Sequence, residues 1–391
     1  MAANRREFLL TAGAVAAPLF VPRSAWGAND RPTYGVIGTG SRGRFVSAAF
    51  RNQGAECVAL CDVYEPHLEK AREDAPSAKT YVDSHDLLAH PGLDFVLVAT
   101  PDHHHCPNLL DALAAGKDVY LEKPMSHSIA ESRKMVAAVR KTRQIVQVGM
   151  QRRSSPMVRR SRELVEQGVL GRISLVKPMW NWNISGPLDN SPLSGKLDWK
   201  RFLGSAPERD LEPRRFRSWR LFWDYSGGNM TDQGTHLMDV TQWLTNTSET
   251  GPVSAICHGQ IVKALGSEVP DVFCAAFEYP QHMVTWTLDY CNSLNNGWSV
   301  TFQGDRGTLI MDEAGSRVYR EPWADRDNRE PIFSERAGIP VDPHVANFLE
   351  CIRTRKEPNC PVEIGASAVS APHLANLAFK QGRKVKMSEA V

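Results

Sequence analysis

The chain is poor in the features that most quickly place a protein. Eight cysteines in 391 residues are too sparse to be the framework of a small disulfide-stapled domain. Cys57 and Cys61 lie four residues apart on an expected strand, about 13 Å at roughly 3.3 Å per residue, which is beyond disulfide reach. Most of the cysteines read as small buried hydrophobes. Only Cys351 and Cys360 are left as a pair that a turn after a helix brings within bridging range. Charge of one sign is also lacking, with 46 basic against 44 acidic residues. There is no basic stripe for a phosphate backbone and no Lys/Arg cluster for an anionic membrane, so no nucleic acid partner is expected. No internal repeat or low-complexity tract is present. At this length two domains are the expectation.

Long apolar runs are missing too. The longest mostly apolar stretch, Leu9 to Val21, is too short to span a bilayer comfortably, so no stable membrane anchor is expected. It follows a short polar start containing Arg5 and Arg6 and precedes Ala25-Trp26-Gly27, with small residues where a signal peptidase inspects the chain. Asn4-Arg5-Arg6-Glu7-Phe8-Leu9 resembles the twin-arginine export signal, an address and not an anchor. Residues 1–27 are therefore read as a cleaved signal peptide and the mature chain as periplasmic or secreted. Cleavage takes the basic residues from 46 to 43 and the acidic ones from 44 to 43, leaving the mature chain formally neutral.

What is present is an alternation. From Thr33 to Arg152, strand-length apolar stretches at 34–37, 57–60, 95–99, 118–121 and 145–148 are separated by helical patterns at 43–52, 66–74, 107–115 and 128–142. This predicts a doubly wound parallel sheet with helices on both faces. Past residue 153 the texture changes. A helix at 157–167 and a strand at 172–183 are followed by a polar, aromatic-rich segment to Tyr225. A helix over 229–244, strands at 253–263, 272–279, 282–291, 298–303 and 308–311, and closing helices at 343–354 and 366–381 complete the chain. In the 282–291 stretch Val284, Trp286, Leu288 and Tyr290 alternate with Thr285, Thr287 and Asp289, the pattern of a sheet with one buried and one wetter face. The domains are expected at 31–153 and 154–391.

Gly38-Thr39-Gly40-Ser41-Arg42-Gly43 follows one expected strand and opens a helix, the context in which a G-x-G-x-x-G match carries meaning. Gly38 permits a tight turn, Gly40 lets backbone approach a pyrophosphate, Gly43 allows close packing, and the helix N-terminus offers free amides. Asp62 ends the second strand, 19 residues past Gly43. There a carboxylate accepts from the adenosine ribose diol and repels a 2′-phosphate, which favours NAD, with NADP tolerated through Arg42. Thr100-Pro101-Asp102-His103-His104-His105 and Glu122-Lys123-Pro124 fall at the C-terminal ends of later strands, facing the same crevice. The histidine run suggests a metal at first sight, but neighbours in one turn rarely converge on one ion, and no metal is assigned.

With Tyr81-Val82-Asp83 before Leu87-Leu88, Ala99-Thr100-Pro101, and Gly227-Gly228 before Asp232-x-x-x-His236, these motifs make the chain resemble the glucose-fructose oxidoreductase/inositol dehydrogenase/MocA family over its mature length. The resemblance implies an N-terminal Rossmann domain and a C-terminal α/β domain on an open antiparallel sheet often used for oligomer contacts. A dimer or tetramer is therefore expected. It further implies catalysis by Lys123, Asp232 and His236, and cofactor contacts through Gly38 to Gly43, Asp62, Thr100, Pro101, Asp102, His105, Glu122, Lys123 and Gln151. The family's usual Asn after Thr-Pro is Asp102 here, which changes the polarity of that contact. Physically, Asp232 and His236 are four apart on one expected helix and so share a face. An imidazole suits proton transfer near neutral pH, and an ammonium suits a developing alkoxide. Flat aromatic faces with a polar rim suit a sugar ring. Arg153, Trp180, Arg220, Tyr225 and His236 are the expected substrate contacts. The leading reading is an NAD-dependent oxidoreductase of a sugar or polyol. The alternatives are an NAD-dependent glycosidase working by transient oxidation, and a silent sugar- or nucleotide-binding scaffold.

Overall fold

The computed structural model describes residues 31–323, 329–336 and 338–390; the expected signal segment lies outside them. Six strands, β1 (Thr33–Ile37), β2 (Glu56–Cys61), β3 (Lys79–Tyr81), β4 (Phe95–Val98), β5 (Asp118–Leu121) and β6 (Val146–Val148), form one sheet in the order β3-β2-β1-β4-β5-β6. Every pairing in it is parallel. Phe95, Leu97 and Tyr120 point to one face and Val96, Val98, Val119 and Leu121 to the other, all buried. A sheet apolar on both sides needs two helical layers. Helix α1 (Ser41–Asn52) follows β1, α2 (Glu65–Asp74) follows β2, and α3 (Ser84–Leu88) follows β3. Helices α4 (His105–Ala114) and α5 (Ile129–Val139) cover the face of Val96 and Val119.

In this unit two short elements went unpredicted, β3 and α3, because three to five residues carry no readable period. The first layer is completed from far away. Phe348, on a helix near the end of the chain, packs its ring 5.3 Å from Phe95, 5.7 Å from Tyr120 and 6.0 Å from Phe50.

The second unit is a nine-stranded sheet. It holds β7 (Ile173–Asn181), β8 (Ser254–Gln260), β9 (Val272–Glu278), β10 (Met283–Asp289), β11 (Gly297–Gly304), β12 (Gly307–Asp312), β13 (Gly315–Arg320), β14 (Phe333–Glu335) and β15 (Val385–Lys386). Their order is β14-β13-β12-β11-β7-β10-β9-β8-β15, antiparallel except where β10 runs parallel to β7. The expected alternation in β10 holds: Val284, Trp286, Leu288 and the following Tyr290 face the core. Helices α6 (Pro156–Glu166) and α10 (Gly234–Leu244) and the long α12 (Val362–Gln381) pack on that face. The opposite face carries Ile256, Cys274 and Met283 exposed, and no helix of the described residues covers it.

Between β7 and α10 the chain leaves the sheet through α7 (Trp199–Leu203), α8 (Pro213–Arg217) and α9 (Gly228–Asp232). The helix expected over 229–244 is thus two, parted at Gln233. Helix α11 (Asp342–Thr354) carries Phe348. Cys351 and Cys360 are separate buried thiols.

Candidate active site

The turn after β1 lies where the sheet order reverses between β1 and β4, the place at which doubly wound folds bind ligands. Gly38 has φ +89°, and a Cβ there would meet the Ala99 backbone at 2.7 Å. A Cβ on Gly43 would sit 2.0 Å from the Gly38 carbonyl oxygen. Gly40 differs: the nearest atom to a Cβ is a His67 ring carbon at 3.6 Å. The protein itself leaves that space open, as close approach of a phosphate requires. No side chain caps α1, whose N-cap is Gly40, so its first amides are free for an anion.

Asp62 stands at the end of β2, where Oδ2 accepts from the Thr39 amide at 2.8 Å and Oδ1 from the Tyr64 amide at 3.0 Å. Gly38, Gly40, Ser41, Arg42, Asp62, Thr100 and Pro101 line one cleft of about 650 Å³. Its size and donor set fit a dinucleotide. Thr39 and Gly43 lie beneath it as support. Arg42 turns away from Asp62: its Nη2 is 2.8 Å from Glu122 Oε1 and 3.5 Å from Gln151 Oε1. This corrects the reading of Arg42 as the residue that tolerates a 2′-phosphate.

Two further expected cofactor contacts are structural. Asp102 is buried and its Oδ2 accepts from the Ser226 hydroxyl at 2.8 Å, which gives the departure from Asn a partner in the second unit. His105 is buried between the Pro124 carbonyl at 2.6 Å and the Thr100 carbonyl at 2.9 Å. It ties two crevice loops together and does not line the cleft. The neighbouring His103 and His104 both reach the Phe202 carbonyl, at 2.9 and 2.7 Å.

The expected catalytic groups do converge. Lys123 Nζ is 2.6 Å from Asp232 Oδ1 and 3.1 Å from the Asp232 carbonyl oxygen, and Arg220 Nε is 3.3 Å from the same Oδ1. Burial alone would push Asp232 up, but Lys123 and then Arg220 outweigh it and hold the carboxyl well below its usual range. His236, one turn on across the break at Gln233, is pressed well below the ordinary imidazole value by burial and then by Lys123, Arg152 and Arg42. It is neutral at pH 7, and its Nδ1 has no partner within the protein.

Of the other substrate candidates, only Arg220 faces open space. Arg153 is buried, with Nε 2.7 Å from Asp239 Oδ1. Trp180 is buried on the core face of β7, and Tyr225 is fully buried among Tyr64, Phe202, Phe216 and Phe222. A second cleft of about 490 Å³ opens at Asp232 instead, walled by Trp182, Asn229, Gln233 and Tyr290, with Arg217 and Arg220 shared between the two clefts. Trp182 stacks on Tyr290 with centroids 5.7 Å apart. Asn229 and Gln233 flank Asp232 in the sequence, and Tyr290 belongs to the alternating set of β10, so a signal for them existed. Arg152 was not foreseen. Its guanidinium lies 3.8 Å from the Trp298 ring centroid and burial pushes it down to about 9.

A dinucleotide cleft and a second cleft that share Arg217 and Arg220, with Asp232 in the second cleft bonded to Lys123 and acting on His236, fit an NAD-dependent oxidoreductase acting on CH-OH groups. The model of the oxidoreductase family NAD-binding Rossmann fold matches residues 33–150, and that of the family's C-terminal alpha/beta domain matches residues 162–387. The chain therefore belongs to the Gfo/Idh/MocA oxidoreductase family. It is 30% identical over 365 residues to a myo-inositol 2-dehydrogenase of Thermotoga maritima, covering 91% of this chain and 99% of that one. Among solved structures it shares its fold with levoglucosan dehydrogenase in complex with NADH and levoglucosan, with a TM-score of 0.73, 18% identity, and 91% and 99% of the two chains covered. The WlbA dehydrogenase of Bordetella pertussis, in complex with NADH and UDP-GlcNAcA, gives 0.70, 21%, 91% and 98%.

Proposed function

We propose that this chain moves hydride between a carbinol carbon of a sugar or polyol and NAD, with the substrate ring in the cleft at Asp232. The observation that carries the reading is the cluster of an ionised Asp232 held by Lys123 beside a neutral His236 with an unpartnered ring nitrogen. Bound in the glycine-lined cleft, NAD supplies the hydride acceptor. The remaining work belongs to the side chains. In the oxidising direction His236 takes the hydroxyl proton as the carbon loses its hydrogen as hydride. Asp232 stays anionic, fixes the Lys123 ammonium in place and supports the imidazolium that forms. Lys123 donates to the oxygen as alkoxide character develops, in a site where its charge is poorly screened. Trp182, stacked on Tyr290, supplies a flat face for the ring, and the relatives acting on myo-inositol and levoglucosan support a polyhydroxylated substrate.

The test is His236→Ala assayed for NADH formation on a panel of sugars and polyols. General-base contributions are about 10² to 10⁴ in rate, so turnover is expected to fall by that factor with NAD affinity nearly unchanged. Wild-type turnover in the variant on an oxidised substrate would make the pair structural. Two further parts of the proposal rest on other features. The Arg5-Arg6 segment with its short apolar run and the Ala25 to Gly27 site support twin-arginine export. The bare sheet face with exposed Ile256 and Met283 supports a homo-oligomer.

A further inference from the structure

The segment that leaves the second sheet between β7 and α9 does more than connect. It crosses to the first domain and pairs with the residues just beyond Asp62. Tyr64 and Leu197 form an antiparallel bridge, closed by the Glu65 amide donating to the Lys196 carbonyl and the Asp198 amide to the Val63 carbonyl, both at 2.9 Å. The Tyr64 hydroxyl donates to the Ser194 carbonyl, and Arg201 pairs with Asp83 at 3.2 Å. The far end of α7 is held by His103 and His104, whose ring nitrogens both reach the Phe202 carbonyl.

These ties enclose an apolar cluster of their own. Tyr64 from the first domain sits with Phe202, Phe216, Phe222 and Tyr225 from the segment, all buried, with the Tyr64 and Phe216 rings 4.9 Å apart. The result is a wall. Asp62, Val82 and Pro101 form one side of the dinucleotide cleft, and Phe202, Phe216 and Arg217 form the other. Asp62, the residue suited to hold the adenosine ribose, lies behind that wall.

We propose that residues 194–217 of the second domain are the outer wall of the NAD site and that Tyr64 with His104 latches it, so that NAD is held as a resident group and leaves only when the wall opens. Opening breaks the hydrogen bonds along residues 194–202 and wets a buried aromatic cluster. A site with only a Rossmann face has no such requirement. The inference rests on NAD occupying the glycine-lined cleft and not on the identity of the substrate.

The experiment follows NAD release from the full mature chain. Protein loaded with NAD is chased with isotopically labelled NAD, and the exchange is read by native mass spectrometry without any turnover. Net hydrogen bonds of this kind each change a rate or equilibrium by about threefold to tenfold, so Tyr64→Phe and His104→Ala are each expected to speed release by that factor.

The opposite perturbation locks the wall. The Tyr64/Leu197 bridge is a non-hydrogen-bonded antiparallel pair, whose Cα atoms approach to about 4.5 Å, within disulfide range. The Tyr64→Cys/Leu197→Cys protein, once oxidised, is expected to exchange NAD at least tenfold more slowly than when reduced, with the rate restored by reductant. Equal exchange by the oxidised and reduced forms, with the disulfide verified by mass, would overturn the proposal. So would Tyr64→Phe and His104→Ala releasing NAD at the wild-type rate. A wild-type protein that binds no NAD would instead bring down the nucleotide assignment beneath it.

Discussion

Replacing Lys123 by Met removes the ammonium from one of the driest charged contacts in the chain, since the side chains of Lys123 and Asp232 are each only 11% exposed. Removing one partner of a buried pair costs about 3 to 5 kcal/mol because the other charge is stranded. Arg220 remains 3.3 Å from the carboxylate, which places the expected loss at the lower end, about 3 kcal/mol. Asp232→Asn should cost a similar amount, because Lys123 then keeps only neutral oxygen partners. The double variant strands nothing. Its loss should fall short of the sum by roughly 2 kcal/mol, the size of coupling that residues in contact show. Urea denaturation of the four proteins measures this.

Turnover supplies a second reading. Losing a positioned charge from a developing oxyanion costs about 10² to 10³, and groups that act as a unit do not add, so all three variants should reach a common floor. The third reading is the pH profile. Burial and then Lys123 are the largest influences pressing His236 down; without the ammonium its imidazole rises, and the acidic limb of kcat/KM should move to higher pH. Asp232 acts on His236 in the opposite sense, so Asp232→Asn should move that limb to lower pH. Stability losses that add within about 0.5 kcal/mol, with both limbs unmoved, would refute an electrostatic unit.

Three other outcomes are expected. Asp62→Ala should relax the preference for NAD over NADP, because a carboxylate that repels a 2′-phosphate is gone; an unchanged affinity ratio, by calorimetry, would remove Asp62 from the ribose site. Arg153→Met should destabilise the fold by about 3 to 5 kcal/mol through the stranded Asp239, with NAD binding intact, and a loss of substrate affinity without a loss of stability would restore Arg153 to the cleft. Protein recovered from the periplasm should begin at or near Ala28 and scatter light as an oligomer at micromolar concentration. Full-length cytoplasmic chain would contradict the export reading, and a monomer would contradict the use of the bare sheet face.

The parts of the site that were legible in the sequence are those written within one strand, turn and helix. Gly38 to Gly43, Asp62 and Glu122-Lys123-Pro124 take their meaning from neighbours a few residues away, the continuous apolar runs of β4 and β5 mark strands buried on both faces, and the period-2 alternation of β10 declares its faces. What failed is what depends on distant partners. Arg153 reads as a polar group awaiting a ligand until Asp239, 86 residues on, is seen to hold it. Trp180 and Trp182 have the same parity, yet one packs in the core and the other walls the cleft after the strand has ended. Tyr225 looks like a sugar platform until Phe202 and Phe216 close around it. The Tyr64 bridge joins segments more than 130 residues apart, and β14 and β15, of three and two residues, are strands only because an existing edge accepts them.

The placement of Phe348 bears on how the chain is made. The nucleotide-binding sheet is complete in sequence by Val148, yet the aromatic layer of Phe50, Phe95 and Tyr120 lacks its cover until α11 arrives. A ribosome must therefore have synthesised nearly nine-tenths of the protein before its first domain can finish a core. Until then the rings of Phe50, Phe95 and Tyr120 lack the cover that Val345, Phe348 and Leu349 of α11 supply, for some two hundred residues of elongation after Val148.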